Sequence, residues 1–307
     1  MMKALSKTII ATAVTVATMS TAYAAEPLTV YGKLNVTAQS NDVADESETT
    51  IQSNASRFGV KGGFELNDAL EAFYTVEYQV DTGKDSSSNF TARNQFVGLK
   101  GQFGSISVGR NDTLLKKSQG KVDLFNDLEG DLKTVFAGEN RLAQTATYLT
   151  PSFSNFTAGV TYVADGDVKQ SDNGFSLAAM YGDSGLKKSP VYAAIAYDSK
   201  VNGYDIVRAT LQGKIVGIKL GAMYQQQEEL DTDVEDKGFL VSASYGIEDI
   251  TLKAQYQDMD NAGDSWSIGA DYKLGKPTKL FAFYTTNTPE SGDDEENYLG
   301  LGLEHKF

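Results

Sequence analysis

Side chains able to do covalent or acid–base chemistry are scarce in this sequence. Its 307 residues include one histidine, His305, and no cysteine. A disulfide framework, a thiolate zinc site and a cysteine nucleophile are therefore excluded. A mechanism that needs a histidine base has a single candidate, placed two residues from the C-terminus. We expect no catalytic residue, no metal site, no cofactor and no enzyme. What the chain does carry is charge: 41 acidic residues against 27 basic ones, a formal net charge of −14. That balance argues against a nucleic-acid partner, because neutralising phosphates needs clustered Lys and Arg.

One cluster of charge has an unusual setting. Between residues 111 and 140, Asp123, Asp127, Glu129 and Asp131 are interleaved with Leu114, Leu115, Val122, Phe125, Leu132 and Phe136. A connection of that length is either functional or disordered. Apolar residues at this density suit a loop folded inward against a wall, carrying its carboxylates with it.

The wall is legible as a period of two. Trp266, Ile268, Ala270 and Tyr272 alternate with Ser267, Gly269, Asp271 and Lys273, and Ile218, Leu220, Ala222 and Tyr224 alternate with Lys219, Gly221 and Met223. These are strands with one apolar face. Almost no segment prefers the helical period, and no apolar run has the roughly 20 residues of a spanning helix. Short connections (66–68, 101–104, 151–155, 182–189, 213–214, 246–249 and 275–277) alternate with longer acidic ones (40–55, 228–237 and 286–296). One strand from Leu28, seven hairpins and a last strand from Asn297 predict an all-β, antiparallel up-and-down barrel of 16 strands with a long third loop.

The aromatic residues decide between a membrane barrel and a secreted sandwich or propeller. Tyr162, Tyr197, Tyr224, Tyr256 and Tyr284 close outgoing strands, while Tyr181, Tyr245 and Tyr272 close returning ones. In an up-and-down barrel this makes two rings, which fits two bilayer interfaces. A sandwich core has no reason to sort tyrosines this way. If the apolar face meets lipid, the polar face lines a lumen too wide for side chains to fill, hence an aqueous channel.

The N-terminus adds a route. Lys3 and Lys7, an uncharged stretch from Thr8 to Thr21, and Ala22-Tyr23-Ala24 are the parts of a cleaved secretory signal peptide, residues 1–24. Removing those two lysines takes the formal charge from −14 to −16 and leaves 25–307 as the barrel domain.

Leu28-Thr-Val-Tyr-Gly-Lys33, Ser56-Arg-Phe-Gly-Val-Lys-Gly62, Asn94-Gln-Phe-Val-Gly-Leu-Lys-Gly101, Val108-Gly-Arg110 and Leu301-Gly-Leu-Glu-His-Lys-Phe307 resemble, in this order, the general diffusion porins of Gram-negative bacteria. The resemblance implies a homotrimer in outer-membrane lipid. It implies a third loop, 111–140, that constricts the pore, and passive diffusion of small hydrophilic solutes. It implies a basic cluster of Lys33, Arg57, Arg93 and Arg141 facing acidic loop residues. Asp131 resembles the family's acidic position, but the loop lacks the usual Pro-Glu-Phe-Gly-Gly-Asp, so Asp123, Asp127, Glu129 and Asp131 all remain candidates. Phe307 resembles the signal read by the barrel-assembly machinery. The acidic excess predicts weak cation preference. The alternatives are a substrate-specific channel, for instance for a sugar sliding along Phe281 and Phe283, and a non-conducting structural or adhesive barrel.

Overall fold

The computed structural model describes residues 25–44, 46–84, 89–164, 173–232, 234–290 and 295–307. The signal-peptide expectation, 1–24, lies outside them. Seventeen extended elements make one antiparallel sheet, from β1 (Ala25–Val43), β2 (Glu46–Ser53), β3 (Arg57–Asn67), β4 (Leu70–Val80) and β5 (Phe90–Gly101) to β16 (Thr278–Pro289) and β17 (Glu296–Lys306). Strand β1 pairs with β2 along its second half and with β3 along its first, so β2 and β3 are one bent stave. The bend falls at Asn54–Ser56. There Ala55 has a φ of 48°, and the Ser56 hydroxyl donates to the Asn35 carbonyl at 3.1 Å and accepts from the Asn35 N–H at 2.9 Å. The barrel therefore has the expected sixteen staves.

It closes where β1 meets β17, in a ladder from Lys33 opposite Lys306 to Asp42 opposite Asn297. Phe307 extends the ladder by one rung, its N–H donating to the Gly32 carbonyl at 3.1 Å. Closure removes the sheet edges that would otherwise template aggregation. Outside, the apolar stripe is exposed on every stave but the one at Arg141–Leu149, as on β17, where Leu299, Leu301 and Leu303 point outward. Surface this apolar and this continuous is stable only against lipid. Aromatic side chains pair at both of its ends, Trp266 with Tyr284 at 5.4 Å and Phe156 with Tyr181 at 4.8 Å between centroids. Among the described residues no helix is long and apolar enough to cross a membrane.

Three expectations need correction. The acidic connections at 40–55, 228–237 and 286–296 are shorter than expected: β1 continues to Val43 and β2 starts at Glu46, β12 (Ile218–Glu229) is followed at Val234 by β13 (Val234–Ile247), and β16 runs to Pro289. Ladder hydrogen bonds continue past the lipid-facing zone, whereas apolar alternation reports only that zone. The turn expected at Gly213-Lys214 lies instead at Val216-Gly217, with φ values of 49° and 85°, the two-residue geometry that matches strand twist. Finally, strict alternation from Arg93 to Lys100 puts Val97 and Leu99 on the face of Arg93, and the structure does not. Between Val76/Gln95 and Tyr78/Ala92 the β4–β5 register shifts, so Glu77 opposes both Arg93 and Asn94. This bulge turns Arg93 inward and Val97 and Leu99 to the lipid side.

Candidate functional site

The 111–140 segment begins where β6 (Gly104–Asp112) ends and returns to β7 (Arg141–Leu149). It opens with a short helix, α1 (Leu114–Ser118), whose N-cap Thr113 accepts from the Lys116 N–H. It ends after a single 3₁₀ turn, Leu132–Thr134, capped by Asp131. Its apolar residues are consumed by the wall. Val122, Leu132, Val135 and Phe136 pack with Met223, Leu240 and Met259. Leu114 and Leu115 pack with Ala178, Ala196 and Ile206. Phe125 packs with Phe281 and Phe283. All of these wall residues stand on the face opposite the apolar stripe, interrupting an otherwise polar surface.

Polar wall residues hold the segment's backbone. The Gln255 amide oxygen accepts from the Leu124 N–H at 2.8 Å, and its amide nitrogen donates to the Gly130 carbonyl at 2.9 Å. A Cβ on Gly130 would collide with the Ser267 hydroxyl, which is why the segment can lie this close to the wall. Arg208, fully buried, donates to Glu139 at 2.7 Å, to Gln225 at 2.7 Å and to the Ala137 carbonyl at 3.1 Å. Burial pushes the Glu139 carboxyl above its ordinary value, against the pull of Arg208. Lys253 donates to the Leu124 carbonyl at 3.2 Å, sits over the Phe125 ring at 4.8 Å and pairs with Asp271 at 3.0 Å.

The four candidate carboxylates divide. Asp127 reaches the basic wall, 2.9 Å from the Lys33 ammonium and 2.6 Å from the Arg57 guanidinium. Its φ of 68° is a left-handed conformation that Asp tolerates. Burial alone would raise its pKa, but the charges of Lys33 and then Arg57 hold it below the usual carboxylate range. Glu129 accepts from the Gln39 amide at 2.9 Å. The other two serve the segment itself. Asp131 accepts from the Asp127 N–H at 2.9 Å and the Lys133 N–H at 3.0 Å. Asp123 accepts from the Phe125 and Leu132 N–H groups at 3.0 and 3.1 Å, and is pushed up to about 7 by burial and by the charge of Asp131.

The basic cluster divides as well. Lys33 and Arg57 face the segment, whereas Arg93 and Arg141 are paired along the wall. Arg93 lies 2.6 Å from Glu77, which also accepts from the Tyr31 hydroxyl at 3.0 Å. Arg141 lies 2.9 Å from Asp112, its direct cross-strand partner. Arg57, Arg93 and Arg141 nevertheless border the same cavity of about 790 Å³, together with Asp127, Glu129 and Asp131. Sequence reasoning missed Asp112 and Lys116, which also line it. The Asp112–Arg141 pairing depends on strand register, which a single sequence does not carry. The two phenylalanines offered as a sugar slide lie beneath Phe125, 6% and 2% exposed, with Gly302 and Gly300 making room for their rings. At the far end of the barrel the His305 ring nitrogen meets the Thr278 hydroxyl at 2.8 Å. Among the described residues no group of three metal-ligating side chains converges.

A family model described as "Gram-negative porin" matches residues 11–292. The putative outer membrane porin protein NmpC of Escherichia coli K12 is 31% identical, covering 100% of both chains. Among solved structures, the anion-selective porin from Comamonas acidovorans superposes with a TM-score of 0.74 at 19% identity, covering 92% of this chain and 100% of its own. The trimer form of OmpT from Vibrio cholerae superposes at 0.69 with 18% identity, covering 93% of this chain and 100% of its own.

Proposed function

The chain belongs to the Gram-negative porin family, and from that membership and the geometry of its lumen we propose that it is a weakly cation-selective channel for small hydrophilic solutes. It is a barrel of the outer membrane, and its transport is passive diffusion. The observation that carries the finer reading is the seating of the 111–140 segment across the polar face, with Asp127 extended to Lys33 and Arg57. The segment is the constriction. The charges left around the cavity beside it set a field across the passage, with Arg57, Arg93 and Arg141 on the wall and Asp127 and Glu129 on the segment. Such a field orders water and favours solutes with dipoles able to align, while bulky or apolar ones are excluded.

Selectivity is weak because the cavity is nearly balanced: carboxylates of Asp112, Asp127, Glu129, Asp131, Glu139 and Glu296 against the cations of Arg57, Arg93, Lys116, Lys133 and Arg141. The acidic excess of residues 25–307 tips it towards cations. A homotrimer in outer-membrane lipid, with Phe307 as the residue read by the assembly machinery, completes the proposal. The trimer form of one structural neighbour supports the first part. The outward-facing Phe307 at the seam supports the second.

The test is electrical. Purified protein added to a planar bilayer should produce stepwise conductance, and silence would defeat the channel reading. In a KCl gradient the reversal potential should carry the cation-selective sign, and the opposite sign would defeat the selectivity reading alone.

A further inference from the structure

The charges that do not meet a partner are sorted along the barrel axis. At the turn-side mouth, Lys61, Lys214, Lys219 and Lys273 point to the lumen with no carboxylate of the described residues within ion-pair distance. Two pairs of lysines stand directly opposite each other across the sheet, Lys214 with Lys219 and Lys273 with Lys279. Like charges in that position repel and destabilise the pairing. Of these, Lys279 alone is offset, by Asp271 at 2.9 Å. Among the described residues the one like-charged acidic pair at this end is Glu65 opposite Glu71, where Lys100 binds Glu71 at 2.8 Å; the carboxylates not on strands, Asp68, Asp183, Glu248 and Asp249, are in the turns.

The loop-side mouth has the reverse sign. Glu46, Glu48, Glu229, Asp236 and Glu296 share the lumen face there, and those with polar partners have neutral ones: Asn41 for Glu48, Thr232 for Glu229, Asn261 for Asp236 and Tyr298 for Glu296. Outside this rim Asp258 stands opposite Asp264, and Glu228 opposite both Asp205 and Glu235. The compact ion pairs of Asp127, Glu77 and Asp112 lie between the two mouths and cancel locally.

We propose that this axial separation makes the pore an ionic rectifier, with an acidic mouth that concentrates cations and a lysine vestibule that concentrates anions. The proposal rests on the channel reading and adds a direction to it. When the loop side is positive, cations enter through the mouth that attracts them and anions through the vestibule that attracts them. Both then accumulate at the constriction. With the opposite polarity each ion must enter through the mouth that repels it, and the constriction is depleted. Screening sets the range: the Debye length is about 10 Å at 0.1 M salt and about 3 Å at 1 M, so the effect belongs to low salt.

Orientation can be fixed because the chain has no cysteine. Biotin on S47C is reached by streptavidin only from the loop side. Single channels of known orientation should pass about 1.5-fold more current with the loop side positive at 0.1 M KCl, and equal currents at 1 M, where the screening length is about 3 Å. The triple variant K214Q/K219Q/K273Q should conduct normally at 1 M and lose the asymmetry at 0.1 M. Symmetric currents in the unsubstituted channel at 0.1 M, asymmetry of the opposite sign, or asymmetry unchanged in the triple variant would each overturn the rectifier. Any of these would leave the porin reading intact as long as the 1 M conductance is present; no conductance at 1 M would instead defeat the channel reading.

Discussion

The two sides of the lumen wall use the same kinds of residue for opposite ends. On the side of β1, β3, β4 and β5, Lys33, Arg57, Glu77 and Arg93 stand at or near a water-filled cavity, paired with one another's neighbours and with Asp127. On the other side, between β9 (Gly174–Gly182) and β16, Arg208 and Lys253 are covered by the 111–140 segment, among Met223, Leu240, Phe281 and Phe283. The first side keeps its charges where a solute meets them. The second spends them on holding backbone carbonyls and adds apolar side chains to the polar face, as a soluble core would. The difference teaches that lumen-facing charge is not by itself a selectivity element. Cover decides its role, and cover comes from apolar residues on the polar face.

The covered side should therefore fail through stability. Arg208 satisfies two carbonyls, Gln225 and Glu139. Arg208→Ala leaves Glu139 buried without its partner, a loss of about 3–5 kcal/mol for a broken buried pair. We expect a lowered unfolding midpoint in denaturant and noisy, enlarged single-channel steps as the segment leaves the wall. A variant with wild-type stability and quiet channels would show that Arg208 does not hold the segment. Phe125→Ala comes next. Deleting a ring fully buried against Phe281 and Phe283 costs on the order of 3 kcal/mol. It should raise channel noise while leaving the reversal potential in place.

Asp123 and Asp127 repeat the contrast four residues apart. The Asp123 carboxyl is raised to about 7, so between its unfolded value of about 4 and about 7 the unfolded chain ionises and the folded chain does not. Its contribution to stability therefore falls as pH rises through that window. Asp127 is depressed by Lys33 and Arg57 despite its burial, so its contribution is present above the unfolded value and is lost as pH falls through the folded one. Unfolding midpoints measured from pH 3 to 8 should show a decline between 4 and 7 that Asp123→Asn reduces, the raised Glu139 carboxyl supplying part of what remains. If the slope is undiminished in that variant, Asp123 is not responsible for it.

How much of this the sequence carried follows from the same division. Alternation identified the staves because lipid outside and water inside impose opposite preferences on successive residues, and it placed Lys219, Asp271 and Lys273 on the polar face. It failed where the polar face is covered. Met223 read as one more polar-face position and Phe281 as part of a sugar slide, and only the structure shows them as the seat of Val122 and Phe125. It failed again at the β4–β5 bulge, where one extra residue inverted the assigned face of Val97 and Leu99. Among the four carboxylates the choice rested on backbone conformation. Asp131 turned to cap the 3₁₀ turn and Asp127 took the left-handed φ that aims it at the wall, and neither is written in composition or spacing.

The smallest expected effect sharpens the comparison most. Arg57→Gln removes one cation from the cavity and leaves Asp127 paired with Lys33 alone. A unit charge about 4 Å from a permeating ion is worth about 1 kcal/mol in water. The cation-to-anion permeability ratio should thus rise two- to fivefold, with stability little changed because Asp127 keeps the Lys33 ammonium at 2.9 Å. Lys253→Met removes the same charge from the covered wall, where Asp271 already balances it and the Phe125 ring lies over it. Its reversal potential should stay with the unsubstituted channel while its unfolding midpoint drops. Equal shifts in reversal potential for the two variants would mean that the field of a covered charge reaches the solute path undiminished, and that burial under the segment is not what separates the two walls.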